Sequence, residues 1–133
     1  MTLTAQEIEY LAGQRLGRLA TVQPDGTLQV SPVGFAWNAE TATIDIRGFN
    51  MAASRKFRNV ADNGRVAFVV DDLPSTSPWR VRCLEIRGHG EAIDGPEEII
   101  RIHPRRVIAF GLGASDADTD PHRLTVHKRD VTV

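Results

Sequence analysis

The fold is decided by residues 16–37, which read LGRLATVQPDGTLQVSPVGFAW. The first arm, Leu16 to Val22, is apolar with small residues. The Pro24-Asp25-Gly26 that follows favours a turn, because proline presets φ and glycine tolerates a positive φ. The second arm, Leu28 to Trp37, resumes the apolar pattern, so the whole segment predicts a β-hairpin. Pro32 in this arm lacks a backbone donor and indicates an edge strand, a bulge or a bend.

Further strands are predicted beyond this hairpin, at residues 43–49, 65–71, 79–93, 99–112 and 123–131. The run from Val66 to Val70 has no polar interruption, which favours burial on both faces. Gly88 and Gly90 predict a bend or bulge in the strand at 79–93, and Pro104 predicts a break in the next one. Residues 73–78 and 115–121 are expected to be loops, because turn-forming residues dominate both segments.

Two short helices are expected. Thr4-Ala5-Gln6-Glu7 has the spacing of a capping box, and Gly13 is placed to end the helix that begins there. The second helix is predicted from Ser54 to about Asn63, where apolar residues recur at helical spacing and Asn63-Gly64 supplies a left-handed cap.

The predicted fold is mostly β: a closed or nearly closed antiparallel barrel of about six or seven strands with two short helices. The 133 residues are about one domain long, so we expect residues 1–133 to form a single domain. The sequence contains no internal repeat and no low-complexity segment.

Composition excludes several classes of protein. Hydrophobic residues make up 41% of the chain and charged residues 25%, as in ordinary globular proteins. A formal net charge of -1 argues against a nucleic-acid partner. Cys83 is the only cysteine, which rules out an intrachain disulfide.

The N-terminus lacks the features of a secretory signal, and no apolar stretch is long enough to span a bilayer. We therefore expect a cytoplasmic protein without a membrane partner.

The most informative site is the turn at Ser54-Arg55-Lys56. Ser54 is a good N-cap, so Arg55 and Lys56 become the first two residues of a helix. Two positively charged side chains at the positive end of a helix are electrostatically unfavourable. They become favourable if an anion lies there, held by the free N–H groups and by both side chains. Arg47 and Arg58 are placed to add positive charge to the same region. The alternative is an ordinary turn whose cations extend into water.

Other patterns are weaker. Asp116, Asp118 and Asp120 mimic the start of a calcium loop, but Pro121 stands where that loop requires glycine, so we interpret them as a polar loop and expect no metal. The histidines lack a metal-ligand spacing and no nucleophile-elbow motif is present, so hydrolase chemistry has no support. No catalytic acid or base is identified.

The order of elements resembles that of the pyridoxamine 5'-phosphate oxidase-like split β-barrel family. The resemblance covers most of the chain and rests on the segments 16–22, 25–26, 30–33, 43–49, 54–66 and 85–91. The late segment Ile102-His103-Pro104-Arg105-Arg106-Val107-Ile108 resembles an actinobacterial, deazaflavin-dependent branch of that family.

This resemblance implies a six-stranded split barrel that forms an intertwined homodimer with two cofactor sites at the interface. Flavin mononucleotide (FMN) or the deazaflavin coenzyme F-420 would lie there. By position, Ser54, Arg55 and Lys56 would bind its phosphate, and residues from Val30 onward, including Ser31, Pro32 and Val33, would run beside its ring. Phe49 and Asn50 would flank the phosphate, Arg47 would add charge, and residues around Arg82 and Cys83 would approach from the partner subunit.

The leading functional hypothesis is an F-420-dependent reductase that transfers a hydride to an activated double bond of a small hydrophobic substrate. The arginine excess, fourteen against two lysines, would suit the carboxylates of the coenzyme's oligoglutamate tail. Trp37, Trp79 and Phe110 would line the substrate side or belong to the core. The alternatives are an FMN-dependent oxidoreductase and a non-enzymatic flavin- or haem-binding protein. The basic Arg-Leu motif of true pyridoxamine-phosphate oxidases is not found here, so oxidation of vitamin B6 phosphates is not expected.

Overall fold

The computed structural model describes residues 2–113, 116 and 119–131. Helix α1 spans Ala5–Ala12 and ends at Gly13. The predicted capping box is confirmed: the backbone N–H of Glu7 donates to Thr4 Oγ1 (3.1 Å), and that of Thr4 donates to Glu7 Oε1 (2.9 Å). Because two orphan donors of the first turn are satisfied in this way, the helix has a defined start.

Eight antiparallel strands form one sheet in the order β2-β1-β5-β6-β7-β4-β3, with β8 paired to β7. Their bounds are β1 Leu16–Val22, β2 Leu28–Gly34, β3 Ala36–Asn38, β4 Thr43–Ile46, β5 Arg65–Thr76, β6 Trp79–Ile93, β7 Ile99–Phe110 and β8 His127–Asp130. The predicted hairpin is confirmed, since β1 and β2 pair from Leu16 opposite Gly34 to Val22 opposite Leu28.

The two ends of this sheet are joined by the chain itself. Strands β2 and β3 lie at opposite ends of the hydrogen-bonded order, yet only Phe35 separates them in sequence. The sheet must therefore curl until its edges approach each other, which gives a split barrel as predicted. The seven predicted strand segments become eight strands because the segment from Leu28 to Trp37 divides at Phe35. The Phe35 ring packs edge-on against Phe68 (5.3 Å between centroids).

The predicted loop at residues 73–78 is wrong. Strand β5 continues to Thr76 and β6 begins at Trp79, so the two form one long hairpin. The ladder skips two residues between Asp72 and Ser75, and this bulge accommodates Pro74, which has no N–H to donate. Proline and serine locally favour a loop, but the long facing strand supplies partners on either side of the bulge.

The predicted break at Pro104 is also wrong, because β7 runs through it. Pro104 lies opposite Gly88, at the place where the β6–β7 register shifts. The bulge predicted from the glycines of β6 is confirmed, and Pro104 fits into β7 because it lies at this bulge. Near the C-terminus, the strand predicted at 123–131 is shortened to β8 and follows a 3-10 turn at Pro121–Arg123.

The core fills the inside of the barrel. On β5, Val66, Phe68 and Val70 are buried, whereas Ala67 and Val69 on the outer face are only half-buried. The prediction that this strand is buried on both faces is therefore wrong for the outer face. Fully buried residues from the other strands complete the core: Leu19, Ile44, Ile46, Leu84, Ile86, Ile100, Ile102 and Val107.

Helix α2, Arg55–Asn63, follows a 3-10 turn at Met51–Ala53. As predicted, Ser54 is its N-cap and Gly64 ends it in the left-handed conformation, with φ of 67°. Neither helix, at eight and nine residues, is long enough to cross a membrane. Ser115, Ala117 and Asp118 of the predicted polar loop lie outside the described residues.

Candidate functional site

The first turn of α2 presents unused hydrogen-bond donors. Ser54 Oγ accepts from the Phe57 N–H (3.3 Å) and donates to the Met51 carbonyl (2.6 Å), so its hydroxyl is committed to capping. The backbone N–H groups of Arg55 and Lys56 have no backbone acceptor in the part of the chain that the structure describes. Two free N–H groups, the helix dipole and two cationic side chains thus meet at one place, which is the arrangement that binds phosphate at helix N-termini.

This turn lies beside the edge strand β2. One turn further along α2, Asn59 Nδ2 donates to Thr21 Oγ1 (3.1 Å) on β1 and to Gln29 Oε1 (3.4 Å) on β2. Hydrogen bonds from Thr27 lower the pKa of Asp25 in the β1–β2 turn, and the positive charge of Arg55 adds to the shift. The start of α2 therefore faces β2, whose outer edge has no strand partner among the described residues.

The predicted ring contacts lie on two faces of β2. Ser31 pairs with the buried Leu19 and shares its inner face with Val33, whereas Pro32 is exposed on the outer face. A planar ring at the β2 edge can meet the backbone of all three residues, but it cannot meet all three side chains, because adjacent residues of a strand point in opposite directions.

Two buried polar atoms close to this edge have no hydrogen-bond partner among the residues that the structure describes: Ser31 Oγ on β2 and Asn59 Oδ1 on α2. Buried polar groups are normally paired, and an unpaired one costs about 1–3 kcal/mol. An unpaired hydroxyl and an unpaired amide oxygen between the strand edge and the helix fit a bound polar molecule. The residues present therefore suit a phosphorylated cofactor whose ring lies along β2.

The loop before α2 contributes less free charge than the sequence predicted. Arg47 forms an exposed ion pair with Glu97 (3.5 Å), which offsets its charge. Glu98 Oε1 accepts from the Ala52 N–H (3.2 Å) just before the turn. Phe49 is 99% exposed and Asn50, also exposed, has φ of 54°, so both side chains project from the loop beside Ser54. No local sequence pattern predicts these contacts, because Glu97 and Glu98 lie more than 40 residues along the chain from Arg47 and Ala52.

A second polar cluster, formed by Tyr10, Asp72 and Arg82, was not predicted from the sequence. The Tyr10 hydroxyl donates to Asp72 Oδ1 (2.7 Å), Arg82 Nε donates to the same oxygen (2.9 Å), and the guanidinium lies 5.2 Å from the centroid of the Tyr10 ring. The hydrogen bond from Arg82 lowers the pKa of Asp72, while burial and the Asp72 carboxylate raise that of Tyr10. No local signal predicts this cluster, because Tyr10 and Asp72 are 62 residues apart.

Cys83 follows this cluster on β6 and is half-buried. Burial and the charges of Asp71 and Glu85 raise its pKa to about 11, so its thiol stays protonated and unreactive near neutral pH. Of the aromatic residues expected to line a substrate site, Trp37 packs against the core, Phe110 is half-buried and Trp79 is exposed at the start of β6.

Comparison with known proteins agrees with this geometry. Residues 3–127 match the family described as pyridoxamine 5'-phosphate oxidase. A 5a,11a-dehydrotetracycline/5a,11a-dehydrooxytetracycline reductase from Streptomyces rimosus subsp. rimosus is 45% identical over 141 residues, covering 99% of this chain and 95% of the relative.

Solved structures share the fold. The conserved hypothetical protein Rv2991 from Mycobacterium tuberculosis has a TM-score of 0.74 at 18% identity, with 90% of each chain covered. An F420 reductase has a TM-score of 0.52 at 28% identity, covering 68% of this chain and 86% of that one. Two of these three proteins are named as reductases, and the similarity supports an oxidoreductase. The chain belongs to the pyridoxamine 5'-phosphate oxidase family.

Proposed function

We propose that this chain is an F-420-dependent reductase that saturates a conjugated carbon–carbon double bond in a polycyclic substrate of the dehydrotetracycline type. The observation that carries the proposal is the first turn of α2, where two free N–H groups and the side chains of Arg55 and Lys56 meet. The 45% identity to a dehydrotetracycline reductase supports the reaction class and the substrate class. The similarity to an F420 reductase supports the choice of coenzyme.

Each residue of the site has a defined task. Arg55 offers a planar fork to two phosphate oxygens, Lys56 adds a point charge, and Ser54 orients both by capping the helix. The outer edge of β2 offers backbone N–H and carbonyl groups to the ring. When bound, reduced F-420 supplies the hydride.

The phosphate contact is tested by titrating the purified protein with F-420 and following the coenzyme's fluorescence. We expect the double variant Arg55→Ala/Lys56→Ala to bind at least about tenfold more weakly, since each charge-assisted hydrogen bond contributes about 1.5–3 kcal/mol. The control is Arg15→Ala/Lys128→Ala, which also removes one arginine and one lysine, both exposed and both outside α2. Equal affinity in all three proteins would refute the assignment of the α2 turn.

The same titration with FMN separates the two coenzymes. Tighter binding of FMN than of F-420, or a yellow protein as isolated, would replace the coenzyme in the proposal and leave the reductase assignment in place. The double variant should then lose affinity for FMN by the same factor, because both coenzymes present a phosphate to the turn.

We also propose that the protein acts as a homodimer joined through the outer face of β1 and β2. Leu16, Leu28 and Val30 are 52%, 76% and 67% exposed. The β1–β2 register places all three on the outer face, next to the exposed Pro32. Arg18 lies on the same face, opposite Pro32, but the other side chains there are apolar or absent. Because an exposed and mainly apolar face on a small protein favours association, a second copy would cover it and bring its own residues to the edge of β2. We also propose that the protein is cytoplasmic.

A further inference from the structure

An open groove of about 480 Å³ lies on the outer face of the sheet, where the end of α2 meets strands β5 and β6. Asn63 and Gly64, at the end of the helix, form one side of it, and Ala20 on β1 contributes to its floor. The nine residues of α2 rise by roughly 13 Å, so the length of this helix separates the groove from the turn at Arg55 and Lys56.

Positive charge is concentrated in this groove. The described residues that line it include no Asp or Glu, but they include four exposed basic residues: Arg65, Arg87, His89 and Arg105. An ion pair with Glu85 offsets the charge of Arg87 (Nε to Oε2, 2.7 Å). The side chains of Arg65, His89 and Arg105 form no hydrogen bond or ion pair with any residue that the structure describes.

The sheet register brings these basic residues together. Arg65 lies directly opposite His89 in the β5–β6 ladder, and Arg87 lies opposite Arg106 in the β6–β7 ladder. Arg105 has no partner in that ladder and is the extra residue of the β6–β7 bulge, which is a device that redirects a side chain. Because like charges at opposing positions destabilise a sheet, an anion between these side chains would convert an unfavourable arrangement into a favourable one.

The groove adjoins the apolar face that we propose as the dimer interface, because Leu28 belongs to both. The three basic residues without a partner lie instead on β5, β6 and β7, which follow β1 in the sheet order. They therefore lie beside the β1–β2 face and not within it, so a second copy that covers β1 and β2 leaves them available to a ligand.

The donors in the groove define the charged part of that ligand. Two guanidinium groups and one imidazole approach from three different strands, and each can donate to a separate oxygen atom. A phosphate monoester offers three terminal oxygens and a charge of about -1.5 to -2 near neutral pH, whereas a carboxylate offers two oxygens and one charge. Val22, Leu28 and Ala67 line the rest of the groove and favour an apolar body.

We propose that this groove binds a phosphate monoester with a small apolar body, whose phosphate accepts from Arg65, His89 and Arg105. The site is additional to the coenzyme turn, and its test does not depend on the proposed reductase activity.

The probe is phenyl phosphate, titrated into the full-length protein while backbone amide NMR shifts are followed. The ligand controls are benzoate, which keeps the ring but has one charge, and inorganic phosphate, which lacks the ring. We expect phenyl phosphate to shift the amides of residues 64–67 and 87–89. It should bind at least about tenfold more tightly than benzoate, as one additional charge-assisted hydrogen bond would give, and several-fold more tightly than inorganic phosphate.

Two pairs of variants test the residues. Arg65→Gln/Arg105→Gln should weaken the binding of phenyl phosphate at least about tenfold, because it removes both unpaired guanidinium groups. Arg15→Gln/Arg123→Gln also removes two exposed arginines, neither of which lines the groove, and should leave the affinity unchanged.

The coenzyme turn is a second place where phosphate could bind, so the titration is repeated with Arg55→Ala/Lys56→Ala. The shifts of residues 64–67 and 87–89 should persist in that variant. The comparison of the three ligands on the unaltered protein tests the proposal even if the Arg65 and Arg105 variant does not fold. Absence of binding at millimolar concentration, shifts that vanish with Arg55→Ala/Lys56→Ala, or equal affinity for phenyl phosphate and benzoate would each overturn it.

Discussion

At the scale of single residues, Arg129 connects the last strand to the first helix. Its Nη1 donates to Glu7 Oε2 (2.8 Å) and its Nη2 donates to Glu7 Oε1 (2.6 Å) and to the Thr2 carbonyl (2.8 Å). The Glu7 side chain is only 4% exposed, so its charge depends on this partner. Burial alone would raise the pKa of Glu7, but the hydrogen bonds from Arg129 and Thr4 outweigh it and hold the pKa below the ordinary value.

We expect Arg129→Ala to lower the free energy of unfolding by about 2–3 kcal/mol, because it leaves a buried carboxylate without its partner. Urea unfolding followed by tryptophan fluorescence measures the loss. Lys128→Ala, an exposed neighbour on the same strand, is the matched control and should change the free energy by less than about 0.5 kcal/mol. Equal effects of the two substitutions would show that the ion pair contributes nothing.

The same pair predicts a pH dependence. A carboxyl whose pKa is lowered by folding stabilises the protein above its unfolded pKa, and this contribution is lost as the pH falls through the folded pKa. In Arg129→Ala the pKa of Glu7 should rise, since burial is no longer opposed by the guanidinium. The difference in unfolding free energy between the two proteins should therefore shrink as the pH falls below 4.5, the ordinary value for glutamate. A difference in unfolding free energy that stays constant down to pH 3 would contradict a lowered pKa of Glu7 in the folded protein.

At the scale of elements, the β6–β7 bulge depends on the absence of a side chain at Gly88. A Cβ there would lie 2.3 Å from the backbone oxygen of His103 on the facing strand, which cannot move independently. We expect Gly88→Ala to destabilise the protein by about 1–3 kcal/mol through overpacking. In Gly34→Ala, on the edge strand β2, the nearest atom to the new Cβ is 4.0 Å away.

Thermal unfolding of the two variants should therefore separate them, with the midpoint of Gly88→Ala clearly the lower. If Gly34→Ala unfolds at the same temperature as Gly88→Ala, or at a lower one, the missing side chain at Gly88 does not stabilise the bulge.

Local signals predicted those elements whose partners lie nearby in sequence. The capping box of α1 and the caps of α2 at Ser54 and Gly64 each involve residues within a few positions, so their chemistry could be predicted. The path of β5 through Pro74 could not, because it depends on pairing with β6 across a bulge. Local propensity opposes a strand there, and long-range pairing overrides it.

The same distinction applies to the candidate sites. The α2 turn consists of consecutive residues whose charge is wrong for an ordinary helix start, and this makes it visible in the sequence. The cluster of Tyr10, Asp72 and Arg82 joins α1 to two strands, so only the folded chain brings it together. The ion pair that offsets Arg47 likewise depends on Glu97 from a distant turn.

At the scale of the whole molecule, the exposed apolar face of β1 and β2 predicts self-association. We expect light scattering to give twice the mass of one chain for the unaltered protein. Val30→Glu should give a monomer, because it places a charge in the middle of this face. The control Val126→Glu replaces another exposed valine, outside the sheet, and should stay dimeric. A monomeric unaltered protein, or a dimeric Val30→Glu, would refute the proposed interface.

The proposed function requires this chain to transfer a hydride from reduced F-420 to a conjugated double bond. The most direct measurement mixes the purified protein with reduced F-420 and 5a,11a-dehydrotetracycline and follows the return of the oxidised coenzyme's absorbance. We expect this signal to require protein and substrate together and to be accompanied by a product two hydrogens heavier than the substrate. We also expect it to appear much more slowly with Arg55→Ala/Lys56→Ala at low coenzyme concentration. Tight coenzyme binding with no oxidation and no mass change would contradict the proposed function and would indicate a non-enzymatic cofactor-binding protein.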